Sequence, residues 1–328
     1  VYAKRFGDVV FAGRSSAPSG ASTGSNEARE LRDKDSPRYG GKGTQTAAQN
    51  VTTTLSAALR GMPFTDLQNL DNAICAADGT ELKENIGGNA CTAASFALAE
   101  AAASLNNEQL FLYLARQYQG EVPAKFKLPT PFFNILNGGK HAGGNLKIQE
   151  FMISPREDIP FPEQLRMAAE VYQQLGSLLA KEINVSARNP GDEGGFAPAL
   201  NTPEEALGYI ERAIQAAGLK VGEDIRLGLD AAASEFYNSE TKTYEIETGM
   251  NKTGDEMVEY WKDLVTRHPA IVSIEDGLDE KDYETWIKLN EAIGDHVQLV
   301  GDDLYTTNPK TIRQGLDGKW CNALLLKV

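Results

Sequence analysis

Four short apolar runs in the second half of the chain each lead into charged residues. Ile225-Arg226-Leu227-Gly228-Leu229 ends on Asp230, and Ile271-Val272-Ser273-Ile274 ends on Glu275-Asp276. Val297-Gln298-Leu299-Val300 leads to Asp302-Asp303, and Ala323-Leu324-Leu325-Leu326 ends on Lys327. Apolar runs of about four to six residues with little polar alternation read as strands buried on both faces, as in a parallel sheet. Asp302 follows Glu275 by 27 residues and Lys327 follows Asp302 by 25, about one strand–helix unit each. In a (β/α)8 barrel the side chains at the C-terminal strand ends converge on one mouth. Carboxylates meeting a lysine there suggest metal-assisted chemistry with a basic partner. A lone strand-end acid is usually a helix N-cap or a turn residue; recurrence through successive units favours a shared mouth.

Gly-rich loops fall on the same side of this pattern. Asn137-Gly138-Gly139-Lys140-His141-Ala142-Gly143-Gly144 follows the apolar run from Phe132 to Leu136, and Gln149-Glu150-Phe151-Met152-Ile153 comes just after it. Gly191-Asp192-Glu193-Gly194-Gly195-Phe196 sets two acids among glycines. Glycines permit positive φ and close backbone approach to a ligand, although any one such loop is usually just a turn. None of them is a Walker A motif, a Rossmann fingerprint or His-Glu-x-x-His. The histidines are His141, His268 and His296, and the last two stand beside helix ends, which argues against a nucleophilic triad.

The elements that must position these groups differ between the two halves. Residues 1–127 read as an α+β domain. A β-like segment at Val9–Ala12 leads into the small-residue loop from Ala17 to Gly24, and helices are expected at 45–60, 88–105 and 106–118, the last opening on Asn106-Asn107-Glu108. Glu121-Val122-Pro123-Ala124 reads as a linker. Over residues 128–328 strands alternate with helices expected at 162–182, 203–217, 254–267, 279–293 and 308–316. Asn201-Thr202-Pro203-Glu204-Glu205 and Thr307-Asn308-Pro309 supply caps with proline in the first turn.

Apolar content of 41% and charged content of 24% suit a globular protein of two domains. A net charge of −14 repels nucleic acid and anionic membrane, so no nucleic-acid or membrane partner is expected. No apolar stretch approaches the ~20 residues that span a bilayer, and Val1-Tyr2-Ala3-Lys4-Arg5 has no signal-peptide core, which makes a cytoplasmic location the expectation. Cys75, Cys91 and Cys321 are odd in number and far apart, unlike a disulfide frame or zinc ribbon. Asn-x-Ser/Thr matches at Asn50, Asn184 and Asn251 read as chance. Both ends read as cut. The chain starts on Val and stops one residue past Lys327, and residues 128–328 fall short of the ~250 typical of a (β/α)8 barrel by about two strand–helix units.

The wording of the loops resembles the enolase family across nearly the whole chain. The resemblance rests on Ser19-Gly20-Ala21-Ser22-Thr23-Gly24 with Glu27-Ala28 and Glu30-Leu31-Arg32-Asp33, and on Asn137-Gly138-Gly139 with His141-Ala142-Gly143. It continues through Gln149 to Ile153, Gly191 to Pro198, Gly228 to Ala232, Ser273 to Asp276, Gly301 to Leu304 and Asn322 to Val328. It implies an α/β protein: an enolase N-terminal α+β domain over 1–127, then an enolase-type TIM-like β/α barrel over 128–328, incomplete in this chain. It also implies the activity of a phosphopyruvate hydratase, converting 2-phosphoglycerate to phosphoenolpyruvate and water in glycolysis, with two Mg2+ per active site and a homodimer.

Residue by residue, the resemblance matches Asp230, Glu275 and Asp302 to ligands of the first Mg2+ and Ser22 to a residue that helps hold the second. Lys327 matches the base that removes the α-proton, and Glu193 the general acid, supported by Glu150. His141 matches a substrate-contacting residue, and Glu150 and Asp302 also border the substrate. The proton lies beside a carboxylate, so its removal gathers two negative charges on one carboxyl group, which concentrated positive charge must stabilise. A lysine keeps its proton to pH ~10.4 unless nearby cations lower that value, and enolase-superfamily sites pair a basic residue with Mg2+.

The chain departs from the family pattern in several places. The family's Ser-His-Arg-Ser loop, its second active-site lysine and its N-terminal Ser-Arg-Gly-Asn-Pro-Thr segment lie outside these 328 residues. Residues 1–14 match poorly, Pro190 and Gly277 replace the usual valine and proline, and Gly88 differs. The expectation is that the gene encodes an active enolase and that the chain as it stands is not competent. Two alternatives remain: another superfamily enzyme acting on a different carboxylic acid, which the Ser22 and Glu193 loops oppose, and a binding paralogue that lost catalysis, which intact candidate positions oppose.

Overall fold

In the computed structural model, which describes residues 1–328 apart from 21–23, 65, 140, 141, 143, 192 and 328, the chain divides at Lys127/Leu128. In the first unit, β1 (Tyr2–Arg5) and β2 (Asp8–Phe11) form an antiparallel hairpin with Tyr2 opposite Phe11. The helical stretch expected at 45–60 is α1 (Gln45–Asn50), a π-helical turn over Val51–Leu55, and α2 (Ser56–Leu59). A helix that the sequence reading does not mark, α3 (Leu67–Asp78), is capped by Asp66, which accepts from the Asn69 N–H, and ends at Gly79 with φ 75°. α4 (Gly88–Leu105) falls where expected.

α5 (Leu110–Gln119) starts four residues later than the expected 106. The Asn106 N–H closes α4 on the carbonyls of Ala102 and Ala103, and Asn107 turns to φ 55°. Asparagine tolerates that left-handed conformation, so the Asn-Asn pair ends one helix instead of opening the next. Leu55, Leu70, Ile74, Ile86 and Leu98 form the core of this unit.

The second unit is built on a six-stranded sheet. Its strands are β3 (Phe133–Asn137), β4 (Glu150–Pro155), β5 (Ile225–Asp230), β9 (Ile271–Glu275), β10 (Gln298–Gly301) and β11 (Ala323–Leu324). The order is β11-β10-β9-β5-β4-β3, with the segment at Phe196 bridged to the outer side of β3. The helices are α6 (Phe161–Glu182), α7 (Pro203–Ala216), α8 (Gly254–Arg267), α9 (Tyr283–Ile293) and α10 (Pro309–Gly318), close to their expected spans except that α9 starts four residues after the expected 279. A three-stranded meander absent from the sequence reading, β6 (Tyr237–Asn238), β7 (Thr243–Glu247) and β8 (Met250–Lys252), lies between β5 and α8.

The expectation of a parallel sheet holds from β5 to β11 and fails at β4, which runs antiparallel to both β3 and β5. Among the described residues no α-helix joins β3 to β4, and without a crossover helix a strand returns beside its predecessor in the opposite sense. The consequence matters for chemistry: Glu150, which begins β4, stands beside the end of β5. The core includes the fully buried Trp261 and Trp286, whose indole N–H groups donate to the carbonyls of Gly277 and Asp279 at 2.9 and 3.1 Å. Both polar handles are thereby satisfied inside an apolar layer.

Candidate active site

Sheet register sets the acids side by side. Glu150 pairs with Asp230, Asp230 pairs with Glu275, and Glu275 pairs with Val300, so the chain leaving β10 delivers Asp302 to the same edge. Backbone bonds extend the ladder past the strand ends: Gln149 N–H to Asp230 O (3.0 Å), Ala231 N–H to Glu275 O (2.9 Å) and Asp276 N–H to Val300 O (3.0 Å). Each acid therefore leaves a rigid edge and not a free loop.

Asp230 is buried; its Oδ1 accepts from the Ala232 N–H at 2.9 Å and its Oδ2 from Gln149 Nε2 at 3.2 Å. Asp276, also buried, sits at φ 40° and accepts from the N–H groups of Asp302 (3.0 Å) and Asp303 (2.7 Å). A non-glycine residue in that region is uncommon and is kept there by its surroundings; here two charge-assisted hydrogen bonds do so. Oxygens of Asp276, Asp302 and Asp303 all lie within 4.8 Å of one another.

Lys327 reaches this group from the far strand. Its Nζ is 2.6 Å from Asp302 Oδ2. Its N–H donates to Thr307 Oγ1 at 2.9 Å, and that hydroxyl donates to Leu325 O at 3.3 Å. Thr307 itself is left-handed, φ 53°, which is rare for a β-branched residue and marks a constrained turn.

Glu193 arrives on a loop laid along β3. The Phe196 N–H donates to Ile135 O (3.0 Å) and the Asn137 N–H to Phe196 O (2.7 Å). Glycine is required at 195, because a Cβ there would meet Asn137 Oδ1 at 2.4 Å and Asn134 Oδ1 at 2.5 Å. From α6, the Tyr172 ring stacks on Phe196 at 4.1 Å and its hydroxyl donates to Gly194 O at 2.9 Å. The Glu193 carboxyl accepts from Asn137 Nδ2 at 2.9 Å and hydrogen-bonds Glu150.

Crowding of carboxyl groups away from water governs their protonation. Burial, then the charge and hydrogen bond of Glu193, raise Glu150 far above the ordinary glutamate range, with Lys327 opposing. Burial and the neighbouring Asp276, Asp302 and Glu150 raise Glu275 in the same way. Asp230 is raised by burial and by Glu275, Asp276 and Glu150. Asp276 rises to about 7, from burial and Asp303, against the two N–H bonds that favour its charge.

A site so rich in carboxyl oxygen can give a proton near neutral pH, and it suits a hard divalent cation. One buried atom supports the fit: Asp302 Oδ1 has no hydrogen-bond partner among the described residues. Asp230, Glu275 and Asp302 come to one edge of the sheet, with Glu150, Glu193 and Lys327 beside them. Ser22 and His141 lie outside the described residues. Asp276 and Asp303, read from sequence only as strand-end acids, join Asp302 in the tightest acid group. Asn137 and Gln149, read only as parts of motifs, touch Glu193 and Asp230 directly. Their signal in the sequence was a polar residue flush against a buried strand.

Fold and site together define an α/β protein with carboxylates and one lysine gathered at the C-terminal edge of its sheet. Residues 6–114 match the enolase N-terminal domain, and residues 125–328 match the enolase C-terminal TIM barrel domain. The chain belongs to the enolase family, and with it to that family's lyases. No helix among the described residues is long and apolar enough to cross a membrane.

Proposed function

We propose that the protein interconverts 2-phosphoglycerate and phosphoenolpyruvate plus water, the phosphopyruvate hydratase reaction of glycolysis. The observation that supports this most is the hydrogen bond between Glu193 and Glu150, whose carboxyl pKa burial and the neighbouring acids push up to about 8, within electrostatic reach of Lys327 and Asp302. Dehydration needs one group that takes a proton and another that gives one, and this edge of the sheet offers both.

Lys327 Nζ takes the proton from the carbon beside the substrate carboxylate. Glu193, hydrogen-bonded to Glu150, gives a proton to the hydroxyl on the next carbon, so that the C–O bond breaks and water leaves. The electron pair of the C–H bond becomes the new C=C bond. Reset requires Lys327 to lose a proton and the acid pair to regain one. Asp230, Glu275 and Asp302 would hold Mg2+, and Ser22 would help hold a second. Bound there, the metal supplies positive charge against the doubly anionic carboxyl group formed on proton removal. Asp302, which Lys327 Nζ contacts at 2.6 Å, would be shared between the metal and the base. His141 and Asp302 would border the substrate. By the family resemblance alone, we also infer a cytoplasmic homodimer, and the charge of −14 opposes nucleic-acid partners.

The test is phosphoenolpyruvate formation from 2-phosphoglycerate by the full-length gene product, with Lys327→Ala alongside. Turnover that vanishes in a folded Lys327→Ala variant supports the reading. A folded parent protein that forms no phosphoenolpyruvate would sink it and leave a binding paralogue.

A further inference from the structure

Asn137 ends β3 with none of its surface exposed. Its Nδ2 lies 2.9 Å from Glu193 Oε2 and 3.2 Å from the carbonyl oxygen of Gln149. A backbone carbonyl never donates, so the atom facing both acceptors must be nitrogen, which settles the orientation of the amide. The Gln149 carbonyl is served independently, because the Gly138 N–H donates to it at 2.9 Å. Loss of the Asn137 amide would therefore cost Glu193 a donor without orphaning the carbonyl. The loop backbone is held separately, by the bonds of Phe196 to β3 and by Tyr172 on Gly194 and Phe196. The amide acts on the carboxyl itself.

We propose that Asn137 is a positioning residue for the proton donor: Nδ2 keeps Glu193 Oε2 as an accepting oxygen and leaves the proton to the other oxygen of that carboxyl. This rests on the dehydration reading above. A carboxyl bears its acidic proton on one oxygen, and a donor fixed on Oε2 makes Oε1 the better place for it. Without the amide the carboxyl keeps its bond to Glu150 but loses the donor that fixes Oε2, so its rotation is less restrained and the proton donor is less well aimed. Lys327, the base, is held by Asp302 at its Nζ and by Thr307 at its backbone N–H, and neither bond involves the amide.

That separation gives the experiment. The full-length gene product with Mg2+ is given 2-phosphoglycerate in D2O, and two rates are read. One is phosphoenolpyruvate formation; the other is exchange of the substrate's C2 hydrogen, which needs the base but not departure of the hydroxyl. Asn137→Ala lowers kcat for dehydration on the order of 100-fold, the scale of a misaimed acid, with KM and the exchange rate at parental values. Asn137→Leu fills the vacated volume without a donor and gives the same split if the alanine variant does not fold.

Parental dehydration in a folded variant overturns the proposal. So does a fall in exchange parallel to dehydration, or unfolding of both variants, either of which assigns the amide a structural role. A parent protein that shows neither dehydration nor exchange refutes the dehydration reading itself.

Discussion

Replacing Asp276 by Asn sets two effects of opposite sign against each other. The carboxylate accepts from two backbone N–H groups, those of Asp302 and Asp303. Asn keeps one acceptor and turns an NH2 group toward the other N–H, a loss of about 1–3 kcal/mol at every pH. Against this stands the cost of ionising Asp276 where it is: its pKa lies at about 7 instead of 3.8. The folded state holds this proton more tightly than the unfolded chain does, so stability falls as pH rises through that window and is level above it. Between pH 5 and pH 8 about two pH units of the window are crossed, worth about 3 kcal/mol at 1.36 kcal/mol each. The Asn variant lacks this slope.

With metal removed by chelator, Asp276→Asn is therefore less stable than the parent at pH 5 and equal or more stable at pH 8. At about 2–4 °C per kcal/mol for a unit of this size, the parent loses about 6–12 °C of Tm to this group over that range. Melts at four pH values read it directly. Parallel curves for parent and variant would refute the reasoning, because they would mean that the buried carboxyl carries no charge penalty at neutral pH.

Other outcomes follow from single contacts. Gly195→Ala forces a methyl against the Asn137 and Asn134 amides and the backbone N–H of Leu136; thermal melts should show a loss of about 1–3 kcal/mol, with dehydration lowered as well. Asp78, nearly inaccessible, accepts from the N–H groups of Thr80 (2.9 Å), Asn85 (3.1 Å) and Ile86 (2.7 Å). Asp78→Ala leaves these donors wanting and costs the N-terminal unit about 3 kcal/mol in urea titrations, with no change in m. Thr253→Ala opens the capping box with Glu256 at the start of α8 and costs about 1 kcal/mol, read by the same titration.

The strand-end acids were legible because burial on both faces leaves an unbroken apolar run, and the first charge after it marks the sheet edge. Register then converted sequence order into neighbours: Glu150, Asp230 and Glu275 could be seen as strand-edge residues but not as a row. The reversal at β4 was hidden because an antiparallel strand buried on both faces carries the same apolar signature as a parallel one. β6 to β8 were lost for a different reason, being two to five residues each, too short for periodicity. At Asn106-Asn107 a residue type suited to both ends of a helix was read at the wrong one. The acid–amide contact of Asn137 depends on a side-chain direction across 56 residues of chain, which no local pattern encodes.

The carboxylates at this edge are expected to take up a divalent cation on which dehydration depends. This is tested most directly by titrating the full-length gene product with Mg2+ and following binding heat and phosphoenolpyruvate formation together, for the parent and for Asp302→Asn. Saturable binding with parallel activation is expected in the parent, and both are lost or strongly weakened in Asp302→Asn. Turnover that persists in excess chelator, or Mg2+ binding that ignores the Asp302 substitution, would contradict it.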